Sequence, residues 1–264
     1  MQPYNLYLLT RIREPKIFSK SEFVLSGRQK MSTVKDHEIA SARSLVDTLY
    51  AFAPEPALFD GFVFSYTIPH IGKEFDLLKI TDKGILNYEL KSVNVGKKAI
   101  KEQLLSNRYY LKHLSLPLCQ CTYVMKENRF YALDENDELV VLPPQAAAVY
   151  LQIHDLPCKT DFDGLFDAGD YMISPTASPE AFINDGYFLT LNQQQIKKKV
   201  LAGVENRTSL HTAIVGSAGT GKTLLLYDLA KELSRKEPAV FIHPGMLSEG
   251  HKILEEGIPS LKIL

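Results

Sequence analysis

The sequence predicts an α/β fold in two parts: strands alternating with helices, then a shorter α/β segment built around a phosphate-binding loop. Three observations predict it. Over residues 34–142, apolar stripes at helical spacing alternate with short runs rich in β-branched and aromatic residues, and the strand-like runs outnumber the helical ones. Two of those runs, Glu74–Ile80 and Ile85–Lys91, are separated by Thr81-Asp82-Lys83-Gly84, a turn with glycine at its end and so a hairpin signal. Further on, Gly216-Ser217-Ala218-Gly219-Thr220-Gly221-Lys222-Thr223 fits G-x-x-x-x-G-K-[ST] at every fixed position.

The 264 residues carry a formal net charge of −1, so any nucleic-acid binding must come from local patches. With 45% hydrophobic residues the chain can bury the core of one large or two modest domains. No run of 18 apolar residues exists, and Met1–Lys20 lacks the apolar stretch of a signal peptide. A cytoplasmic protein without a membrane partner is expected. Cys119, Cys121 and Cys158 suit a reducing compartment. Cys119-x-Cys121 with His113 matches no common zinc spacing, so packed thiols are expected.

Residues 1–31 are mixed and mildly basic and read as a solvated edge or arm. Residues 34–53 read as a helix, because Ile39, Ala42, Leu45, Val46, Leu49 and Phe52 share one stripe; Glu38 borders it, and Pro54 and Pro56 end it. Phe62–Ile68 is the first strand-like run, and the hairpin follows. Residues 99–114 are again helical, with Ile100, Leu104, Leu111 and Leu114 toward the core and Gln103, Asn107 and Tyr110 on a second face. Cys121–Met125, Arg129–Leu133 and Glu138–Leu142 read as further strands. Asp134–Asp170 is strongly acidic; Asp161, Asp163, Asp167 and Asp170 fail the EF-hand template, so a solvated loop is expected. Turn formers at Ser174–Pro179 mark a boundary, giving a first domain over 1–173, a linker over 174–190 and a second part over 191–264.

Asp76 precedes Glu89-Leu90-Lys91 by 13 residues. Alternation along a strand sends Glu89 and Lys91 to one face and Leu90 to the other, and the hairpin can bring Asp76 beside them. Converging carboxylates suit a hard cation such as Mg²⁺ or Mn²⁺, and a lysine beside it can orient water and stabilise charge on a phosphate. Charged residues also alternate on the solvent face of many strands. The next helix carries Lys97, Lys98, Lys101, Arg108 and Lys112, either a phosphate-backbone surface or simply a solvated face.

This order of residues, Glu38 on a helix, Asp76, Glu89-x-Lys91, then Gln103 on the next helix, resembles the PD-(D/E)xK nuclease superfamily, in particular the nuclease-related (NERD-type) domains found fused to helicases. The resemblance covers about residues 34–133. It implies a restriction-endonuclease-like mixed sheet, Asp76 and Glu89 as metal ligands, Lys91 as the catalytic lysine, and Glu38 and Gln103 as supporting residues. Nucleic acid is the implied substrate, with DNA favoured over RNA. One departure is that Pro69-His70 stands ahead of Gly72-Lys73-Glu74 rather than directly before Asp76.

Around the glycine-rich loop, His211–Val215 reads as a strand entering it and Leu224–Leu233 as a helix leaving it. Backbone N–H groups and the helix N-terminus would cradle the phosphates of ATP, Lys222 would reach the outer phosphates, and the Thr223 hydroxyl would ligate Mg²⁺. Ala239–His243 would be the next parallel strand. The segment resembles the start of a superfamily 1-type, RecA-like helicase ATPase, of the schlafen group 3-like branch. Leu191–Gln195 is similar to the adenine-reading Q motif, which implies Gln195 at the adenine edge; alternatively, Asn192 simply caps a helix. Only 41 residues follow Thr223, without a Walker B strand. Nucleotide binding is therefore expected and hydrolysis by this chain alone is not. A second chain completing the ATPase is the further partner considered. Two other classes of function stay open: a non-catalytic nucleic-acid and nucleotide binding module, and an ATP-responsive half of a split nuclease–helicase.

Overall fold

The computed structural model describes residues 1–29, 34–69, 71–153, 162–166, 171, 173–206, 211–217 and 219–264. It divides into two units, Met1–Pro69 with Glu74–Asp167, and His70–Lys73 with Ala168–Leu264. Cys158, Asp161, Asp167, Asp170 and Ala218 lie outside the described residues.

The first unit is α/β, with a mixed six-stranded sheet flanked by helices. Its strands, β1 (Phe62–Thr67), β2 (Glu74–Ile80), β3 (Ile85–Lys91), β4 (Leu118–Val124), β5 (Arg129–Leu133) and β6 (Leu139–Leu142), lie in chain order across the sheet. Every neighbouring pair is antiparallel except β3–β4, which is parallel. A parallel pair needs a crossover, and the helix Lys97–Leu111 supplies it.

The predicted hairpin is present with both strands at their expected bounds. The first predicted helix runs from Asp36 to Tyr50 and buries Ile39, Ala42, Leu45, Val46 and Leu49 on its stripe. Each of the larger ones, Ile39, Leu45, Val46 and Leu49, contributes about 1.5–3 kcal/mol when buried. Phe52 falls past the helix end and is 44% exposed, so it does not join the stripe as expected. The crossover helix buries Ile100, Leu104 and Leu111, whereas Leu114 is only partly buried.

The N-terminal stretch is not a solvated arm. It forms α1 (Leu6–Thr10), capped by the Asn5 side chain on the Leu8 N–H, and α2 (Pro15–Ser26), which starts on proline and stops at Gly27 in the left-handed region. Tyr4, Leu6, Leu9 and Phe18 are part of the main core. With these two placed, α3 is Asp36–Tyr50 and α4 is Lys97–Leu111. β6 falls on the strand expected at Glu138–Leu142, while the expected acidic loop is corrected in part: α5 (Pro144–Ile153) occupies the stretch after it. Ala147, Ala148 and Leu151 of α5 are buried, and Tyr88 donates its hydroxyl to the Ala147 carbonyl at 2.8 Å. Asp163 sits in a single 3-10 turn and pairs with the Met1 amino group at 3.2 Å. His113 lies near the backbone carbonyls of Tyr110 and Leu165. Cys121 is fully buried, where desolvation pushes its thiol up.

The second unit holds α6 (Pro179–Ile183), α7 (Leu191–Glu205), α8 (Lys222–Ser234), β7 (Ala239–Phe241), α9 (Glu249–Gly257) and β8 (Leu261–Ile263). β7 and β8 form a two-stranded parallel sheet. The stretch expected as a linker carries α6 and core residues Phe182, Tyr187 and Leu189. His211–Val215 is not the expected strand: it takes no strand conformation, and Val215 is 92% exposed. A β-branched run becomes a strand only where an edge pairs with its backbone groups.

Candidate active site

β2 loses its ladder on both sides at one residue. Its register with β1 runs from Phe64↔Leu77 to Tyr66↔Phe75 and passes over Ser65 and Asp76. Its register with β3 stops at Leu77↔Tyr88, one position short of setting Asp76 across from Glu89. Ser65 has φ +49°, left-handed backbone in the middle of β1. In place of a ladder, the Asp76 carboxylate accepts the Leu90 backbone N–H at 2.7 Å.

The gap opens into a cleft of about 220 Å³ lined by His37, Glu38 and Ser41 of α3, Phe64 and Ser65 of β1, Asp76, and residues 90–93 and 95. Lys91 Nζ stands 4.0 Å from Asp76 Oδ2, with about a fifth of its side chain exposed. Glu38 also caps its own helix: its carboxylate accepts the Lys35 backbone N–H at 3.2 Å and pairs with the Lys35 ammonium at 3.3 Å.

Glu89 is placed differently from Lys91. It is fully buried and is not among the cleft residues. Its carboxylate accepts amide N–H bonds from Gln103, from Asn107 at 2.7 Å and from Asn87 at 3.4 Å. A buried carboxylate demands such donors, because an unsatisfied one costs several kcal/mol. Of the expected site residues, then, Asp76, Lys91 and Glu38 share the cleft, and Gln103 meets Glu89 beside it.

Sequence reasoning gave no role to Glu74, Ser65, Arg28 or Asn107. Glu74 carries a carboxyl pushed up from its ordinary value, first by desolvation and then by the nearby charges of Asp76 and Glu38, although much of the residue faces solvent. Its alternation with Asp76 on one strand was the available signal.

Among the described residues, no group of three or more His, Cys, Asp or Glu side chains stands ready to hold a metal ion. Mg²⁺ does not require one, since it commonly takes one or two carboxylates plus water and phosphate oxygens. Asp76 with Glu38 fits that demand. Glu89 is closed off from that cleft, its carboxylate taken up by three amide donors, and beside it Asn107 Oδ1 and Thr122 Oγ1 are buried oxygens without a hydrogen-bond partner among the described residues.

In the second unit, α8 begins directly at the glycine-rich loop, with Gly219 at φ +73° and Gly221 at φ +74°. These angles favour glycine, and a Cβ at Gly221 would also collide with the Gln193 side chain. Lys222 Nζ donates to the Ser217 carbonyl at 2.6 Å, folding the lysine over the loop, while Thr223 is exposed in the first turn of the helix. Asn192 is not the helix cap. Thr190 is, in a capping box with Gln193. Gln193 further donates to the carbonyls of Thr220 and Gly221 at 3.2 and 3.4 Å, so it is the glutamine that touches the loop. Gln195 is exposed.

No family model, no curated protein and no solved structure matches this chain.

Proposed function

We propose that the first unit is a metal-dependent nuclease of restriction-endonuclease-like fold and that the second unit binds ATP through its glycine-rich loop. The observation that carries the nuclease reading is the pairing of Asp76 and Lys91, 4.0 Å apart in a cleft where the ladder of β2 lapses. Asp76, pinned by the Leu90 N–H, presents a carboxylate for a hard cation, and Glu38 stands on the same cleft wall. Lys91 orients the attacking water and stabilises negative charge on the scissile phosphate. Mg²⁺ or Mn²⁺, when bound, supplies Lewis-acid polarisation of the phosphoryl oxygen. Gln103 holds Glu89 through its amide, and so fixes the strand that carries Lys91.

The second unit supports nucleotide binding by the same kind of reasoning. In this reading the backbone N–H groups at the start of α8 and the Lys222 ammonium hold the phosphates, and the Thr223 hydroxyl ligates Mg²⁺. A second reading, a non-catalytic binding module, draws on the lack of a three-ligand metal group among the described residues.

Cleavage of labelled single- and double-stranded DNA and RNA, with Mg²⁺ or Mn²⁺, tests the proposal. The nuclease reading expects metal-dependent cutting that Lys91→Ala abolishes. Absence of cutting with every substrate and both metals overturns it in favour of the binding module.

A further inference from the structure

Resting on the nuclease reading of the cleft, we infer that Arg28 is a positioning residue for Asp76, acting through the kink at Ser65. Ser65 is the non-glycine residue of β1 held in the left-handed region, and it faces Asp76 where the β1–β2 register is passed over. The Ser65 side chain hydrogen-bonds the Glu74 carboxylate of β2, and a non-glycine residue keeps such a φ only where its surroundings hold it. The backbone on either side of that φ is held from outside the sheet. The Arg28 guanidinium donates to two successive carbonyls, that of Phe64 and that of Ser65 at 3.0 Å. Both bonds leave one nitrogen, Nη2, whose two N–H groups lie fixed in the guanidinium plane, where a lysine ammonium is a rotating point charge.

Arg28 is itself anchored. It pairs with the buried Glu22 of α2 at 3.1 Å, and Glu22 accepts the Tyr4 hydroxyl at 3.2 Å. The Tyr4 oxygen in turn accepts the Phe64 backbone N–H at 3.2 Å. A closed circuit therefore runs from α2 through Arg28 to the carbonyls on either side of the kink and back through Tyr4. Phe64 and Ser65 line the same cleft as Asp76 and Lys91. Without the guanidinium, Ser65 relaxes to extended backbone, the Ser65–Asp76 step closes into regular ladder, and the Asp76 carboxylate loses its seat on the Leu90 N–H.

The test compares wild type, Arg28→Met, Arg28→Lys and the double variant Arg28→Met/Ser65→Gly in metal-dependent cleavage. Mn²⁺ binding by calorimetry and thermal melting are recorded alongside. Arg28→Met is expected to lower kcat about 10- to 100-fold with KM nearly unchanged, and to weaken Mn²⁺ binding. Arg28→Lys should be intermediate. Ser65→Gly should restore most of the rate in the Arg28→Met background, because glycine adopts the left-handed φ without the steric cost that a Cβ carries. If Arg28→Met does not fold, Ser65→Val in the otherwise intact chain serves instead, since a β-branched residue resists positive φ; the same kcat loss is expected.

Wild-type kcat in Arg28→Met, or in Ser65→Val where that variant is used, overturns the inference alone. So does a loss that Ser65→Gly leaves unrestored. Wild-type protein that cleaves no substrate with either metal, whether or not it binds Mn²⁺, overturns the nuclease reading and this inference with it.

Discussion

The Asp76 carboxylate accepts the backbone N–H of Leu90 at 2.7 Å, bridging β2 to β3 just beyond the last pair of their ladder. A side chain thus does what backbone pairing does elsewhere in the hairpin, and the strands part around it. That parting lets the ammonium of Lys91 stand beside Asp76 in a cleft rather than on a closed sheet surface.

Removing either partner should cut the cleavage rate steeply while sparing the fold. Asp76→Asn keeps an acceptor for Leu90 but not the charge, and Lys91→Ala removes the ammonium. Each is expected to lower kcat/KM by about 10²–10³-fold, with an unchanged far-ultraviolet circular dichroism spectrum. Undiminished rates in both variants would exclude this cleft as the reaction site.

The amides around Glu89 make a stability prediction independent of catalysis. Asn107→Leu removes a 2.7 Å donor from a fully buried carboxylate and puts an apolar group in its place. The expected cost is roughly 1–3 kcal/mol, read from urea unfolding of the intact chain. A midpoint equal to wild type would mean that the Glu89 carboxylate finds its hydrogen bonds elsewhere.

Nucleotide binding should depend on Lys222 and on Gly221. Lys222→Ala deletes the cation at the helix start, and Gly221→Ala meets both a left-handed φ and the Gln193 side chain. Titration with a fluorescent ATP analogue should show at least about tenfold weaker binding in each, the scale of one lost charge-assisted contact. Gln195→Ala, by contrast, discriminates the adenine reading: unchanged affinity leaves the loop contact to Gln193 alone.

A pH effect is expected at α9. His251 is buried, and its Nδ1 accepts the Ser248 backbone N–H at 2.9 Å, completing the helix capping box. Burial, and then the neighbouring His243, hold its imidazole below the ordinary value of 6.5. The folded chain therefore binds this proton less readily than the unfolded chain. Its contribution to stability is fully present above pH 6.5 and falls as pH drops through that value toward the lowered one. Glutamine at this capping-box position keeps the acceptor without titrating, so His251→Gln should flatten the pH dependence of the melting temperature across that window. An equal slope in both proteins would assign the effect to other groups.

Strong local signals were legible in the sequence. The β2–β3 hairpin, the stripe of α3 and the start of α8 lie where apolar period, turn chemistry and glycine spacing place them. Weak or interrupted patterns were not. The helix Leu6–Thr10 is too short for a periodic stripe, and α5 hides in an acidic stretch whose Ala146–Ala148 run was its one helical signal.

By itself, the sequence determined the two chemical constellations and their local scaffolds, because alternation along a strand and capping at a helix start are set by neighbouring residues. Only the tertiary structure decided which members of each constellation meet. Glu89 and Lys91 are two residues apart on one strand, yet α4 covers the first with amides and the second reaches the cleft beside Asp76. Gln193 and Gln195 are two apart on one helix, yet only the first is buried against the glycine-rich loop. His211–Val215 has the composition of a strand and takes no strand conformation. In each case the deciding quantity is which groups from elsewhere in the chain approach, and hydrogen bonding and burial of that kind are set by packing rather than by local pattern.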